Sequence, residues 1–250
     1  MRELLAIGIG AGDPAQLTVE AIEALNAVDV VFVVDKGEVK RELAALREEI
    51  CGRHIEGGYR LVEIADPERD RTAPAYLEAV EDWRRARAAA WEEAIAAELG
   101  EGERGAFLVW GDPAIYDSTL AVLERIAAEG ALELSYRPIP GISSVQSLAA
   151  RHRISLTRTG GALLITTGRR LAAEGLGDHD DVIVMLDADC AFKAFAGEGL
   201  DVYWGAYLGT PDELLVAGRL EEVAERIEAV RAEARERKGW IMDTYLLRRR

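Results

Sequence analysis

The residues best suited to chemistry in this chain sit in three glycine turns. Gly111-Asp112-Pro113 ends the short apolar run Phe107 to Trp110, with Tyr116 and Ser118 close behind. A backbone turn with one carboxylate and no nearby phosphate-binding lysine suits a neutral or cationic polar ligand better than a phosphate. Gly12-Asp13-Pro14 repeats the tripeptide after the apolar run Leu4 to Ile9, as the tail of Gly8-x-Gly10-x-Gly12. Pro140-Gly141-Ile142-Ser143-Ser144 is the third turn and places two hydroxyls at a helix start. Glycine permits positive φ and close backbone approach, and proline stops the strand. Each turn therefore marks the carboxyl end of a buried strand, where ligands bind in open α/β sheets. Three such turns predict one shared cleft.

Each feature also has a plainer reading. Asp112 could cap the next helix, and Ser143 or Ser144 could cap the helix that follows them. No G-x-S-x-G elbow surrounds these serines, so a nucleophilic serine is not expected. His152 lies in Arg151-His152-Arg153 and reads first as a helix C-terminal charge. His54, His152 and His179 lack metal-ligand spacing, so no metal site is expected. Gly8 to Gly12, with Asp35 closing the second strand, suggests a nicotinamide-dependent oxidoreductase. Against it, the spacing is not G-x-G-x-x-G, and Asp13-Pro14 delays the helix.

Composition narrows the partners. With 49% hydrophobic and 30% charged residues, the 250-residue chain reads as a soluble globular protein of one large or two modest domains. Thirty basic against 45 acidic residues leave a net charge of −15, which repels a nucleic-acid backbone. Apolar runs such as Val30 to Val34 are far short of the roughly 20 residues of a membrane span. No signal-peptide layout opens the chain, and two cysteines, Cys51 and Cys190, make no disulfide framework. A cytoplasmic location is expected. An anionic substrate would need local arginines, and Arg69, Arg71, Arg151, Arg153, Arg158, Arg169 and Arg170 lie in loops or helix ends near predicted strand termini.

The elements that position these residues alternate. Strands are expected at 4–9, 30–34, 59–64, 106–110 and 132–139. Helices are expected from the N-cap Thr18 to Asn26, at 38–51, from Pro74 to about Leu99, at 120–128 and at 143–153. Such alternation predicts a parallel sheet with helices on both faces. Composition changes at Ile154 to Gly161, which divides the chain into 1–157 and 158–250. The second part shows strands at 162–166, 182–186, 202–208, 214–217 and 240–247, with a charged helix at 220–238, which predicts a mixed sheet.

In order and spacing, Gly8-Ile-Gly-Ala-Gly-Asp-Pro with Leu17-Thr18, Gly111-Asp-Pro-Ala-Ile-Tyr116 and Pro140-Gly-Ile-Ser-Ser144 resemble the S-adenosylmethionine-dependent tetrapyrrole methylases over essentially the whole chain. Val33-Val-Asp-Lys-Gly37, Ile165-Thr-Thr-Gly-Arg-Arg170 and Tyr203-Trp-Gly-Ala-Tyr-Leu-Gly-Thr-Pro-Asp-Glu213 carry a closer match, to the branch acting on precorrin-5. The resemblance implies two α/β domains, a cofactor folded into the cleft between them, and a homodimer. It implies methylation of carbon 1 of precorrin-5 with loss of the acetyl group as acetate, giving precorrin-6A and S-adenosylhomocysteine. Another precorrin methyltransferase of the family, or a non-catalytic tetrapyrrole binder, is the nearby alternative. Carried over by motif, cofactor contacts fall on Gly10, Ala11, Gly111, Asp112, Ile115, Tyr116, Ser143 and Ser144, with Leu186 and Tyr207 added from the second part. Arg151, Arg169 and Arg170 are expected to hold substrate carboxylates. Acetyl loss needs a base or an acid, and Asp35, Asp112, Tyr116 and His152 are the candidates. Trp110 departs from the pattern, where many relatives carry a small residue.

Overall fold

A strand segment apolar at every position must bury both faces, and Leu4 to Ile7 of the first strand does. In the computed structural model, which describes residues 1–35, 41–67, 76–129 and 132–250, β1 (Arg2–Gly8) sends alternate side chains to two separate cores. Leu4 and Ala6 pack with Trp91 and Ile95 of α3 (Tyr76–Glu98) and Leu123 and Ile126 of α4 (Thr119–Glu129). Leu5 and Ile7 pack with Leu25 of α1 (Val19–Leu25) and Ile50 of α2 (Arg41–His54). The same alternation runs through β4 (Arg104–Val109), where Phe107 stacks on Trp91 with centroids 4.1 Å apart. With β2 (Val30–Asp35), β3 (Arg60–Ala65) and β5 (Leu134–Ile139), these strands form a wholly parallel sheet in the order β3-β2-β4-β1-β5.

The second sheet is mixed. Its order is β6-β7-β10-β8-β9, built from β6 (Leu163–Thr167), β7 (Asp181–Met185), β8 (Leu200–Ala206), β9 (Leu214–Arg219) and β10 (Asp243–Arg249). Only β6 and β7 pair in parallel; β10 runs antiparallel to both β7 and β8. One face packs on α6 (Gly168–Glu174) and on α7 (Leu220–Lys238) through Leu220, Ala224 and Ile227. The other packs on α5 (Ser144–His152) through Val145 and Leu148. Gly239, at φ 75°, ends α7 in the left-handed conformation that glycine adopts freely.

Contacts divide the chain into one unit of Met1–Gly10 and Pro14–Ile142 and another of Ala11–Asp13 and Ser143–Arg250. The composition change marks 157/158, whereas packing already groups Ser143 onward with the second sheet. Val145 and Leu148 join Ile183 and Leu246, and Arg248 donates to the carbonyls of Ser155 and Leu156 at 2.8 and 3.2 Å. Helix α1 starts from Thr18, whose hydroxyl accepts the Ala21 N–H at 3.1 Å. Lys36, Gly37, Arg69, Arg71 and Pro74 lie outside the described residues.

Candidate functional site

The three turns follow adjacent strands of the first sheet, β4, β1 and β5. The chain leaves β1 through α1 toward β2, and leaves β4 through α4 toward β5, on the opposite face and in the opposite direction. That reversal is a topological switch point, where the carboxyl ends of neighbouring strands open a crevice. Gly10 and Gly111 exchange backbone hydrogen bonds of 3.3 and 2.8 Å. A Cβ on Gly8 would lie 2.6 Å from the Gly141 nitrogen and 2.9 Å from the Gly111 oxygen. One on Gly141 would lie 2.8 Å from the Gly8 Cα. The turns meet backbone to backbone, and only glycine allows it.

Asp112 binds two of them together. Its Oδ1 accepts the Ala114 N–H at 2.8 Å and its Oδ2 the Gly141 N–H at 2.9 Å. It does not cap the next helix; Asp117 does, accepting the Thr119 N–H at 2.6 Å. Between them, Ile115 closes a turn onto the Asp112 carbonyl, and Tyr116 sits at φ 50° with 46% of its surface exposed. Beyond it, the Ser118 hydroxyl accepts a 2.7 Å bond from buried Arg87. Arg87 also lies 3.0 Å from Asp66 and within 5.2 Å of the ring centres of Trp83 and Trp91. Half-buried Arg47 donates to the Leu108 carbonyl at 3.1 Å, its pKa lowered by desolvation against the pull of Asp117. Sequence reasoning missed both arginines. For Arg87 a signal was present, since Trp83 and Trp91 flank it four residues away on each side.

The second unit holds its motif residues differently. Ala11 is buried with Val145, Leu148 and Leu208. Ser143 caps α5 in a full capping box with Gln146, so the plainer reading applies to it. Ser144 shares a 3.1 Å hydrogen bond with Thr244. The phenol of Tyr207 is buried and donates to the Trp240 carbonyl at 2.6 Å, while its backbone sits at φ 50°. Leu186 follows β7 at φ 53° and is 62% exposed. Among the described residues five non-glycines have positive φ, and three are cofactor candidates: Tyr116, Leu186 and Tyr207. Such strain costs on the order of 1–3 kcal/mol per residue and gathers at ligand sites.

Other candidates have protein partners. Arg151 binds Glu213 at 2.9 Å, and Arg170 binds Glu174 at 3.1 and 2.9 Å. Arg169 is exposed with no polar side-chain partner among the described residues. His152 Nε2 lies 3.0 Å from the Trp204 carbonyl, with its ring edge-on to Tyr203. Asp35 ends β2, and its side chain lies outside the described residues. After Gly12 the chain enters a 3-10 turn at Pro14–Gln16, and α1 begins only at Val19, so no helix opens from the glycines as a dinucleotide site requires. Among the described residues no His, Cys, Asp or Glu cluster could hold a metal, and no helix is long and apolar enough to cross a membrane.

Known proteins resemble this chain in sequence and fold. A family model described as Tetrapyrrole (Corrin/Porphyrin) Methylases matches residues 3–224. Precorrin-6A synthase [deacetylating] of Sinorhizobium sp is 47% identical over 250 residues, spanning 100% of this chain and 96% of the relative. The crystal structure of a cobalamin-synthesis-related protein (CobF) from Corynebacterium diphtheriae gives a TM-score of 0.87 at 37% identity, covering 99% of this chain and 98% of that one. Cobalt precorrin-4 methyltransferase, CbiF, gives 0.67 at 21% identity over 99% and 94% of the two chains, a likeness of fold alone.

Proposed function

This chain belongs to the tetrapyrrole (corrin/porphyrin) methylases, and from that membership we propose that it methylates carbon 1 of precorrin-5 with release of the acetyl group as acetate, giving precorrin-6A in cobalamin biosynthesis. The observation that carries this reading is full-length identity of 47% to precorrin-6A synthase, on a chain whose three glycine turns meet at one end of the first sheet.

The residues present fit S-adenosylmethionine. Backbone turns that tolerate no Cβ, a carboxylate at Asp112 and no phosphate-binding lysine suit a cationic cofactor bearing an amino acid. When bound, the cofactor supplies an electrophilic methyl on a sulfonium, so no protein nucleophile is required. The candidate cofactor residues in the first unit are Gly10, Gly111, Asp112, Ile115 and Tyr116. Those in the second are Ala11, Ser143, Ser144, Leu186 and Tyr207. Their work is to orient the reacting groups and exclude water. Asp112, with both oxygens on backbone amides, positions the turns. Of the described proton-transfer candidates, Tyr116 has the most exposed side chain, and we assign it the proton movement of acetyl loss. Arg169 is the most available of the three arginines for a substrate carboxylate, since Arg151 and Arg170 would first have to exchange glutamate partners. The homodimer and the cytoplasmic location belong to this proposal, and two buried free cysteines support a reducing compartment.

Incubation with precorrin-5 and methyl-labelled S-adenosylmethionine tests the reading. Label uptake with equimolar acetate is expected. Uptake without acetate would instead identify another precorrin methyltransferase, and neither would sink the proposal.

A further inference from the structure

Leu186 is held in a conformation that packing does not explain. It is a leucine at φ 53° with 62% of its surface in water. An exposed left-handed leucine gains little from burial and carries strain, so its neighbours must impose the conformation.

They do so through Asp187, which is buried. Its Oδ1 accepts the Asp189 N–H at 3.0 Å. Its Oδ2 accepts the Ala191 N–H and the Tyr245 hydroxyl, each at 2.7 Å. Its backbone carbonyl accepts a 2.6 Å bond from Nη2 of Arg231 on α7. Arg231 in turn places Nε 2.9 Å from Oδ2 of Asp243, and the Trp204 indole donates to the same oxygen at 3.0 Å. The arginine and aspartate side chains are 8% and 5% exposed. Gly168 closes the remaining side: a Cβ there would lie 2.5 Å from the Asp187 carboxyl. Next to Asp243 in β10, Thr244 holds Ser144, a second motif residue.

We propose that Arg231 is a positioning residue for the methyl donor: from α7 it fixes Asp187, and through it holds the Leu186 turn in the shape that receives the cofactor. The proposal rests on the methyltransferase reading above. The chemistry calls for arginine. Its planar fork spans the Asp243 carboxylate and the Asp187 carbonyl at once, and a lysine ammonium is a single compact charge that suits only one of them well.

Calorimetric titration of full-length protein with S-adenosylhomocysteine, wild type against Arg231→Lys, is the test. We expect Arg231→Lys to bind at full stoichiometry but about tenfold more weakly, the effect of one lost charge-assisted bond. KM for S-adenosylmethionine should rise in step while KM for the tetrapyrrole stays unchanged. A merely structural role predicts the reverse pattern, reduced stoichiometry at unchanged affinity, and that result would overturn the proposal. Leu186→Gly accepts positive φ without strain, so Arg231→Lys should cost less affinity in that background. Equal cost in both backgrounds would also count against the idea. Should Arg231→Lys fail to fold, amide exchange on the wild type decides. S-adenosylhomocysteine must slow exchange at Asp189 and Ala191, and unchanged rates would refute the coupling. Absence of any binding by the wild type sinks the methyltransferase reading itself and the proposal with it.

Discussion

The two units hold the backbone that follows their strands by different means. In the first, Gly8, Gly10, Gly111 and Gly141 press backbone on backbone, and one carboxylate, Asp112, ties the turns by accepting two amides. In the second, buried charges of α7, β10 and Asp187, two residues after β7, grip the backbone, with Arg231 joining Asp243 to the Asp187 carbonyl. The first unit uses arginines as well: buried Arg87 reaches the Ser118 side chain, and half-buried Arg47 reaches the Leu108 carbonyl without joining a charge network that holds a strained residue. Glycine packing is a short-range, steric device. A charge network is long-range and depends on every member being satisfied.

The contrast can be tested from its largest expected effect downward. Arg231→Met should cost about 3–5 kcal/mol of unfolding free energy, since it strands a buried carboxylate. Arg87→Met should cost less, because Asp66 keeps 17% of its side-chain surface in water against 5% for Asp243. Denaturant unfolding of both variants checks this, and equal losses would erase the distinction. Gly141→Ala should come next, at about 1–3 kcal/mol, because its Cβ must push the Gly8 and Gly111 backbones apart. Gly57→Ala, with nothing within 4 Å of the added Cβ, is its control and should be near neutral.

The smallest effect is alkaline. Burial raises the pKa of Cys51 and Tyr59 in the first unit and of Cys190 and Tyr245 in the second. Tyr245 is raised furthest, with Asp187 adding to burial. The unfolded chain releases these protons near the ordinary values of about 8.5 and 10, while the folded chain keeps them to higher pH. Fewer protons bound in the unfolded state means stability that is intact below those values and falls as pH climbs through them. Amide-exchange protection measured on both sides of that window should drop more in the second unit. An equal drop would show that Tyr245 carries no special weight.

Local signals made much of the first unit legible. Alternating strand and helix patterns, the Thr18 cap and the three glycine turns all depend on residues near one another in the chain. The turns' convergence was readable because each marks a strand end in a parallel sheet. The plainer account of Ser143 was legible for the same reason, with Gln146 three residues on completing the capping box. Packing could overrule local composition, as at Ile154 to Gly161, where Val145, Leu148 and Arg248 tie the preceding helix to the second sheet. The plainer reading of Asp112 as a helix cap gives way to Asp117, which is equally able to cap and lies nearer the helix.

By itself, the sequence determined the order of elements, the mostly parallel first sheet and mixed second sheet, and the motif residues that mark this family. These follow from periodicity, turn chemistry and capping, which act over a few residues. Only the tertiary structure decided which charges are buried and what they hold. Arg231 meets Asp187 from 44 positions away, and Arg87 meets Ser118 from 31. No local pattern encodes such partners, because burial and distance arise only when the sheet and its helices have packed. So an ordinary-looking arginine in a charged helix becomes the group that shapes the turn at Leu186.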